Sequence, residues 1–159
     1  MKTLLLGMGN PILSDDSVGV RLAGDLARAL GDVPGLFVVE ECSTGGLNLL
    51  DILAGYDRAI VVDAIRTAEG VPGNRYRFDA RALRETLNLR NVHDVNFATA
   101  LELGRRLGVQ LPEDEQIHLL AVEVADDTTF GEALSPALEA AYPGILAEIL
   151  EEVREILAT

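Results

Sequence analysis

Two adjacent carboxylates, Asp15 and Asp16, lie in the stretch Leu6-Gly7-Met8-Gly9-Asn10-Pro11-Ile12-Leu13-Ser14-Asp15-Asp16-Ser17-Val18-Gly19, which joins an apolar run to an amphipathic one. A third carboxylate, Asp63, closes the apolar run Arg58-Ala59-Ile60-Val61-Val62, and a His93-Asp94 pair follows a polar connection. Asp16, Asp63 and His93 together would offer two carboxylates and one imidazole. That donor set suits a divalent transition-metal ion, with water or a substrate atom filling the remaining positions. No close spacing spells out the set, so the fold has to bring the three together.

Each residue also has a plainer role to weigh. Either Asp15 or Asp16 suits the N-cap of the following helix, although a cap does not need two carboxylates. Asp63 at the end of an apolar strand favours function, because an unpaired buried carboxylate is costly. His93 taken alone fits a helix cap or a surface position equally well. His118, inside an apolar strand, reads as a core or edge histidine, and Cys42 as a small buried hydrophobe. Glu123, Asp126, Asp127 and Glu132 read as a solvated acidic loop. Gly7-x-Gly9 suggests a dinucleotide-binding turn, but the third glycine of that fingerprint is replaced by Ile12, and the acidic pair would repel a pyrophosphate. Neither a Gly-x-Ser-x-Gly elbow nor a phosphate-binding lysine loop is present.

Composition narrows the partners. Thirteen basic residues against twenty-six acidic ones give a net charge of -13, which repels nucleic acid and anionic membrane surfaces alike. The apolar opening is interrupted at Gly7, so it reads as neither a secretion signal nor a membrane span. A single cysteine excludes an internal disulfide and fits a reducing compartment. The expectation is a soluble, cytoplasmic protein folded as one domain over residues 1–159.

The elements that must position the candidate residues alternate along the chain. Strands are expected at Leu4-Leu5-Leu6, at Leu36 to Glu41, at Arg58 to Ala64, at an edge position over Arg75 to Phe78, and at Gln116 to Val124. Between them, Val18, Leu22, Leu26 and Leu30 recur at helical spacing, and Gly31 and Pro34 end that helix. Leu47, Leu50 and Leu53 mark a short helix, Ala80 to Leu87 another, and Asn96 to Leu107 a longer one with Phe97, Ala100, Leu101 and Leu107 on its apolar side. Pro136 to Leu157 completes the set, with a restart expected at Tyr142-Pro143 because proline is tolerated only in a first helical turn. This alternation predicts an α/β three-layer sandwich: a mostly parallel twisted sheet of about five strands with helices on both faces. In such a sheet Asp16 and Asp63 would share the carboxyl edge.

In order along the chain, Gly7-x-Gly9-Asn10-Pro11-x-x-x-Asp15-Asp16-x-x-Gly19, Thr44-Gly45-Gly46, Val62-Asp63-Ala64, His93-Asp94 and Phe130-Gly131-x-x-Leu134-Ser135-Pro136 resemble the motifs of the endopeptidases that mature nickel-iron hydrogenases. The resemblance spans nearly the whole chain. It implies removal of a C-terminal extension from the hydrogenase large-subunit precursor once nickel is loaded, with the nickel supplied by that precursor. Carried over by position, the resemblance makes Asp16, Asp63 and His93 the nickel-contacting and catalytic residues, with Asp15 or Asp94 orienting a ligand. The loop glycines would then make room for a peptide and an ion. Position 16 is often glutamate in relatives, so Asp16 is shorter by one methylene, and Cys42-Ser43 stands where many relatives have glycines. Hydrolysis could be driven by a metal-polarised water or by a carboxylate acting as general base, and a monomer is expected. The alternatives are a non-catalytic metal-binding or maturation chaperone module on the same scaffold, and a nucleotide-binding module resting on the glycine loop alone.

Overall fold

The apolar runs become the strands of a single sheet. The structure, a computed structural model, describes residues 1–42, 47–85 and 92–159, without the side chains of residues 47, 83–85 and 92–96. In chain order the elements are β1 (Thr3–Met8), a 3-10 turn (Ser14–Ser17) running into α1 (Val18–Leu30), β2 (Leu36–Cys42), α2 (Leu47–Leu53), β3 (Arg58–Ile65), β4 (Arg75–Asp79), α3 (Ala80–Glu85), α4 (Val92–Arg106), β5 (Ile117–Glu123) and α5 (Pro136–Ala158). The strand order is β2-β1-β3-β5-β4. The first four are mutually parallel, and β4 closes the edge antiparallel to β5.

Burial on both faces explains the unbroken apolar runs of the central strands. Every residue of β1 and β3 is buried. On one face Leu5, Ile60, Val62, Leu120 and Val122 pack against Val18, Leu22 and Leu26 of α1 and Leu138, Ile145, Ile149 and Val153 of α5. On the other, Leu4, Leu6, Val61 and Leu119 pack against Leu50 and Leu53 of α2 and Phe97 and Leu101 of α4. The three layers expected from the alternation of elements are therefore present.

This topology creates the crevice. The connection from β1 to β2 runs through α1 on one face, and that from β2 to β3 runs through α2 on the other. The chain thus changes sides between the adjacent strands β1 and β3, which is where open α/β sheets leave a cleft beyond their carboxyl ends.

Two helical expectations are corrected. α5 runs without a break through Pro143, which lies inside the helix. The missing N–H removes one backbone bond, but Leu138 and Tyr142 before it and Ile145 and Ile149 after it are all buried on one face, and that continuous burial holds the helix together. Leu107, assigned to the apolar side of α4, lies beyond its end and is exposed. At the amino edge Arg58 is buried, and its guanidinium donates to the Ile156 carbonyl at 2.6 Å, the Gln116 Oε1 at 3.1 Å and the Thr159 Oγ1 at 3.3 Å. A fixed cation thereby meets the carboxyl end of α5, where the helix dipole favours it.

Candidate functional site

At the end of β1 the chain turns sharply. The Asn10 carbonyl accepts from Leu13 N–H at 3.1 Å and the Asn10 Oδ1 accepts from Ile12 N–H at 3.1 Å, so the asparagine builds the turn from both its backbone and its side chain. The next bend delivers Asp15 and Asp16 in the 3-10 turn, both buried. Asp16 Oδ2 accepts the Asn10 N–H at 2.8 Å, which folds its carboxylate back over the turn.

The glycines fit the chain's own backbone. A Cβ on Gly9, whose φ is +138°, would lie 2.1 Å from the Asp16 carbonyl oxygen. One on Gly19 would lie 2.3 Å from the Met8 oxygen and 2.5 Å from the Val62 oxygen, and 3.1 Å from the Asp63 Cα. The expectation that these glycines leave room for a peptide and an ion is thus corrected at both positions. They let the start of α1 sit directly on the ends of β1 and β3, which holds the Asp16 turn against the strand carrying Asp63.

Asp63 lies within β3, two residues before its end, opposite Ala121 of β5. Side chains alternate along a strand, so Asp63 falls on the face of Val61, the layer of α2 and α4. It is buried, and its Oδ1 accepts the Ala64 N–H at 2.7 Å. His93 is the second residue of α4, so that helix begins four residues earlier than expected and includes the histidine in its first turn. Beyond α4, the Gln110 carbonyl accepts from Gly55 N–H at 3.0 Å, just before β3 begins. α4 therefore runs toward the amino edge and starts toward the carboxyl edge, where Asp16 and Asp63 sit. The side chains of His93 and Asp94 lie outside the described residues, as does Thr44-Gly45-Gly46. Among the described residues no group of three or more His, Cys, Asp or Glu is placed to hold a metal ion.

Asp15 separates from its neighbour. It is fully buried and accepts four hydrogen bonds from the far end of the chain: Ala125 N–H at 3.0 Å, Asp126 N–H at 2.9 Å, Ser135 N–H at 2.6 Å and Ser135 Oγ–H at 2.8 Å. Neither aspartate caps α1, whose N-cap is Ser17 with no side-chain cap bond. Backbone pairing reinforces the clasp. Gly131 N–H donates to the Ile12 carbonyl at 2.8 Å and Ser14 N–H to the Gly131 carbonyl at 2.9 Å, with Leu13 and Gly131 bridged in parallel. The Phe130-Gly131-x-x-Leu134-Ser135-Pro136 motif is thus the partner strip of the Asp15 loop, and no local pattern in the sequence could have disclosed that.

Glu123 was also misplaced by its acidic surroundings. It is buried, and its carboxylate accepts the Thr67 N–H at 3.0 Å and also the Thr67 hydroxyl, ordering the loop after β3. Asp126 and Asp127 are half-buried and Glu132 is exposed. Hydrogen bonds from Thr129 and Thr128 hold the Asp126 carboxyl down at about 2. Cys42 is buried, as expected. His118 is half-buried opposite Asp79 of β4, on a strand paired on both sides, and burial, followed by Arg77 and Arg58, lowers its pKa. Two surface depressions lie elsewhere, one beside Arg58 and Thr159 and one beside Arg77, Glu115 and His118, and neither includes Asp16 or Asp63.

Among the described side chains, the serine hydroxyls near the crevice are each engaged by an oxygen acceptor. Ser17 Oγ donates to the Ser14 carbonyl, Ser14 Oγ to the Ala133 carbonyl and Ser135 Oγ to Asp15. What the crevice offers is carboxylate chemistry: acceptors for a cation, or a base for a water.

Known proteins are similar to this chain in sequence and fold. The hydrogenase 2 maturation protease of Escherichia coli strain K12 is 28% identical over 156 residues, covering 98% of this chain and 92% of its own. The solved structure of the hydrogenase maturating endopeptidase HybD from E. coli superimposes with a TM-score of 0.77 at 25% identity, covering 98% of this chain and 93% of that one. The [NiFe] hydrogenase maturation protease HybD from Thermococcus kodakarensis gives a TM-score of 0.72 at 26% identity, with coverages of 96% and 99%. The HycI family model, described as hydrogenase maturation protease, matches residues 20–152. With that match across most of its length, the chain belongs to the hydrogenase maturation protease family and is a processing endopeptidase.

Proposed function

We propose that this endopeptidase removes a C-terminal extension from the nickel-loaded precursor of a nickel-iron hydrogenase large subunit. Asp16, Asp63 and His93 engage the nickel that arrives with the substrate, and that engagement sets the adjoining peptide in the crevice. The observation that carries this reading is the pair of buried carboxylates at the switch point between β1 and β3, held together by the close seat of Gly19. Carboxylate oxygens buried at one sheet edge are acceptors for a cation, and an ion arriving with the substrate would meet both residues there. A substrate lacking its metal would gain nothing there, so in this reading cleavage waits for loading.

Water is the attacking group in this reading, since the described hydroxyls of Ser14, Ser17 and Ser135 are already engaged. It adds to the scissile carbonyl and gives up its proton, and the departing amine takes a proton as the C–N bond breaks. The reading carries with it a monomeric enzyme working in the cytoplasm; no described helix is long and apolar enough to cross a membrane.

The test is mass spectrometry of the nickel-loaded precursor incubated with the enzyme. A short C-terminal peptide should be released, and Asp16→Ala, Asp63→Ala and His93→Ala should each slow release by at least about 100-fold. A wild-type enzyme that binds the loaded precursor and leaves its mass unchanged would instead be a maturation chaperone.

A further inference from the structure

The two strips joined by Asp15 expose large apolar side chains at adjoining positions. Ile12 is 49% exposed and Phe130 is 78% exposed. Each directly precedes a partner in the parallel bridge between Leu13 and Gly131, so the two leave neighbouring points of the backbone. Ile12 lies between Asn10 and Asp16, the residues joined by the 2.8 Å hydrogen bond that sets the Asp16 carboxylate.

Their exposure is built in. The strip carrying Phe130 is held by the Gly131 backbone bonds and, at both its ends, by the bonds from Ala125, Asp126 and Ser135 to Asp15. The backbone that carries the ring is therefore fixed in place beside the Ile12 turn. Apolar groups fixed in water beside a polar site mark an interaction surface. The Ser14 N–H donates to the Gly131 carbonyl at 2.9 Å and the Asp15 N–H to the Asp126 carbonyl at 2.8 Å, so the strip carrying Phe130 runs beside the turn that carries Ile12 and Asp16, next to the proposed cleavage site.

We infer that Ile12 and Phe130 form a contact for a bulky apolar side chain of the precursor segment flanking the scissile bond, and so help select the sequence that is cut. The inference rests on the proposed function and deepens it. Recognition then has two parts: the carboxylates test for the metal, and the apolar pair tests the chain beside it.

The experiment compares Ile12→Ser, Phe130→Ser and the double variant with wild type. It measures the Kd for the nickel-loaded precursor of the hydrogenase from the same organism, alongside KM and kcat for peptide release. The double variant should bind about ten-fold more weakly, with KM raised to match and kcat within about two-fold of wild type, because the contact acts in binding. Phe130→Leu should restore most of the affinity. The thermal midpoint should not move, since both side chains are exposed. Unchanged Kd and KM with normal wild-type cleavage would overturn the contact and leave the protease reading intact. Binding that depends on the pair without any peptide release would sink the protease reading and uphold the contact. A wild-type protein with no affinity for the precursor, or a dimer that the variants dissociate, would overturn the contact.

Discussion

Asp15 and Ser135 stand 120 positions apart and are joined twice, the Ser135 N–H donating to Asp15 Oδ1 at 2.6 Å and its hydroxyl to Oδ2 at 2.8 Å. The carboxylate beside the proposed nickel contact Asp16 is therefore a structural clasp. Asp15→Ala would leave the Ala125, Asp126 and Ser135 donors without their partner and should cost about 3 kcal/mol of stability. Urea unfolding measures this directly, and a loss under about 1 kcal/mol would show that water replaces the clasp.

Gly19→Ala tests the seat of α1. The added methyl would meet the Met8 and Val62 carbonyl oxygens at 2.3 Å and 2.5 Å, both backbone atoms that cannot rotate aside. α1 would have to lift from β3, separating the Asp16 turn from Asp63. A destabilisation of about 3 kcal/mol with a large fall in peptide release is expected. Activity retained at full level in a folded variant would contradict this placement.

Arg58 offers a contrast at the opposite edge of the sheet. Arg58→Ala should lose about 3 kcal/mol by leaving the Ile156 carbonyl and Gln116 unpaired. At temperatures where the variant is folded, kcat should match wild type, because Arg58 opens β3 and Asp63 lies near its other end. A changed kcat would mean that the two edges are coupled.

The pH dependence has an alkaline limb. Tyr142 donates to Asp25 at 2.5 Å, with Arg21 stacked 4.0 Å from its ring centre, and burial together with the Asp25 carboxylate raises the phenol above its ordinary 10.0. The folded protein thus holds this proton more tightly than the unfolded chain. Its contribution is whole below pH 10.0 and is lost as pH rises beyond it. Burial works against the Asp25 charge, but hydrogen bonds from Tyr142 and Arg28 outweigh it and hold that carboxyl below 3.8, so its share is lost as acid takes the pH below that value. Thermal midpoints of Tyr142→Phe should be flatter than wild type between about pH 10 and pH 11. Parallel curves would show that the phenol does not contribute.

Much of this molecule is legible in its sequence. Runs such as Arg58-Ala59-Ile60-Val61-Val62 and the four-residue recurrence of Val18, Leu22 and Leu26 predict strand and helix from local periodicity, and their alternation predicts a parallel sheet. The sheet edge shared by Asp16 and Asp63 follows from the same rule, and the ordered motifs indicated the family. These features are written in neighbouring residues, where backbone geometry and burial act over one or two turns.

What only the tertiary structure decided depends on distant partners. Asp15 and Asp16 are identical in type and adjacent in sequence. One meets the strip around Ser135 and becomes a clasp, while the other turns back onto Asn10 at the crevice. Glu123 looked like part of a solvated acidic loop until the fold laid Thr67 over it, and Pro143 looked like a break until burial on both sides of it held the helix. Gly9 and Gly19 suggested room for a ligand, yet backbone oxygens fill that space. A residue's type sets what it can bond, but its partners come from chain brought together by burying the sheet, and no local pattern records which distant segment arrives.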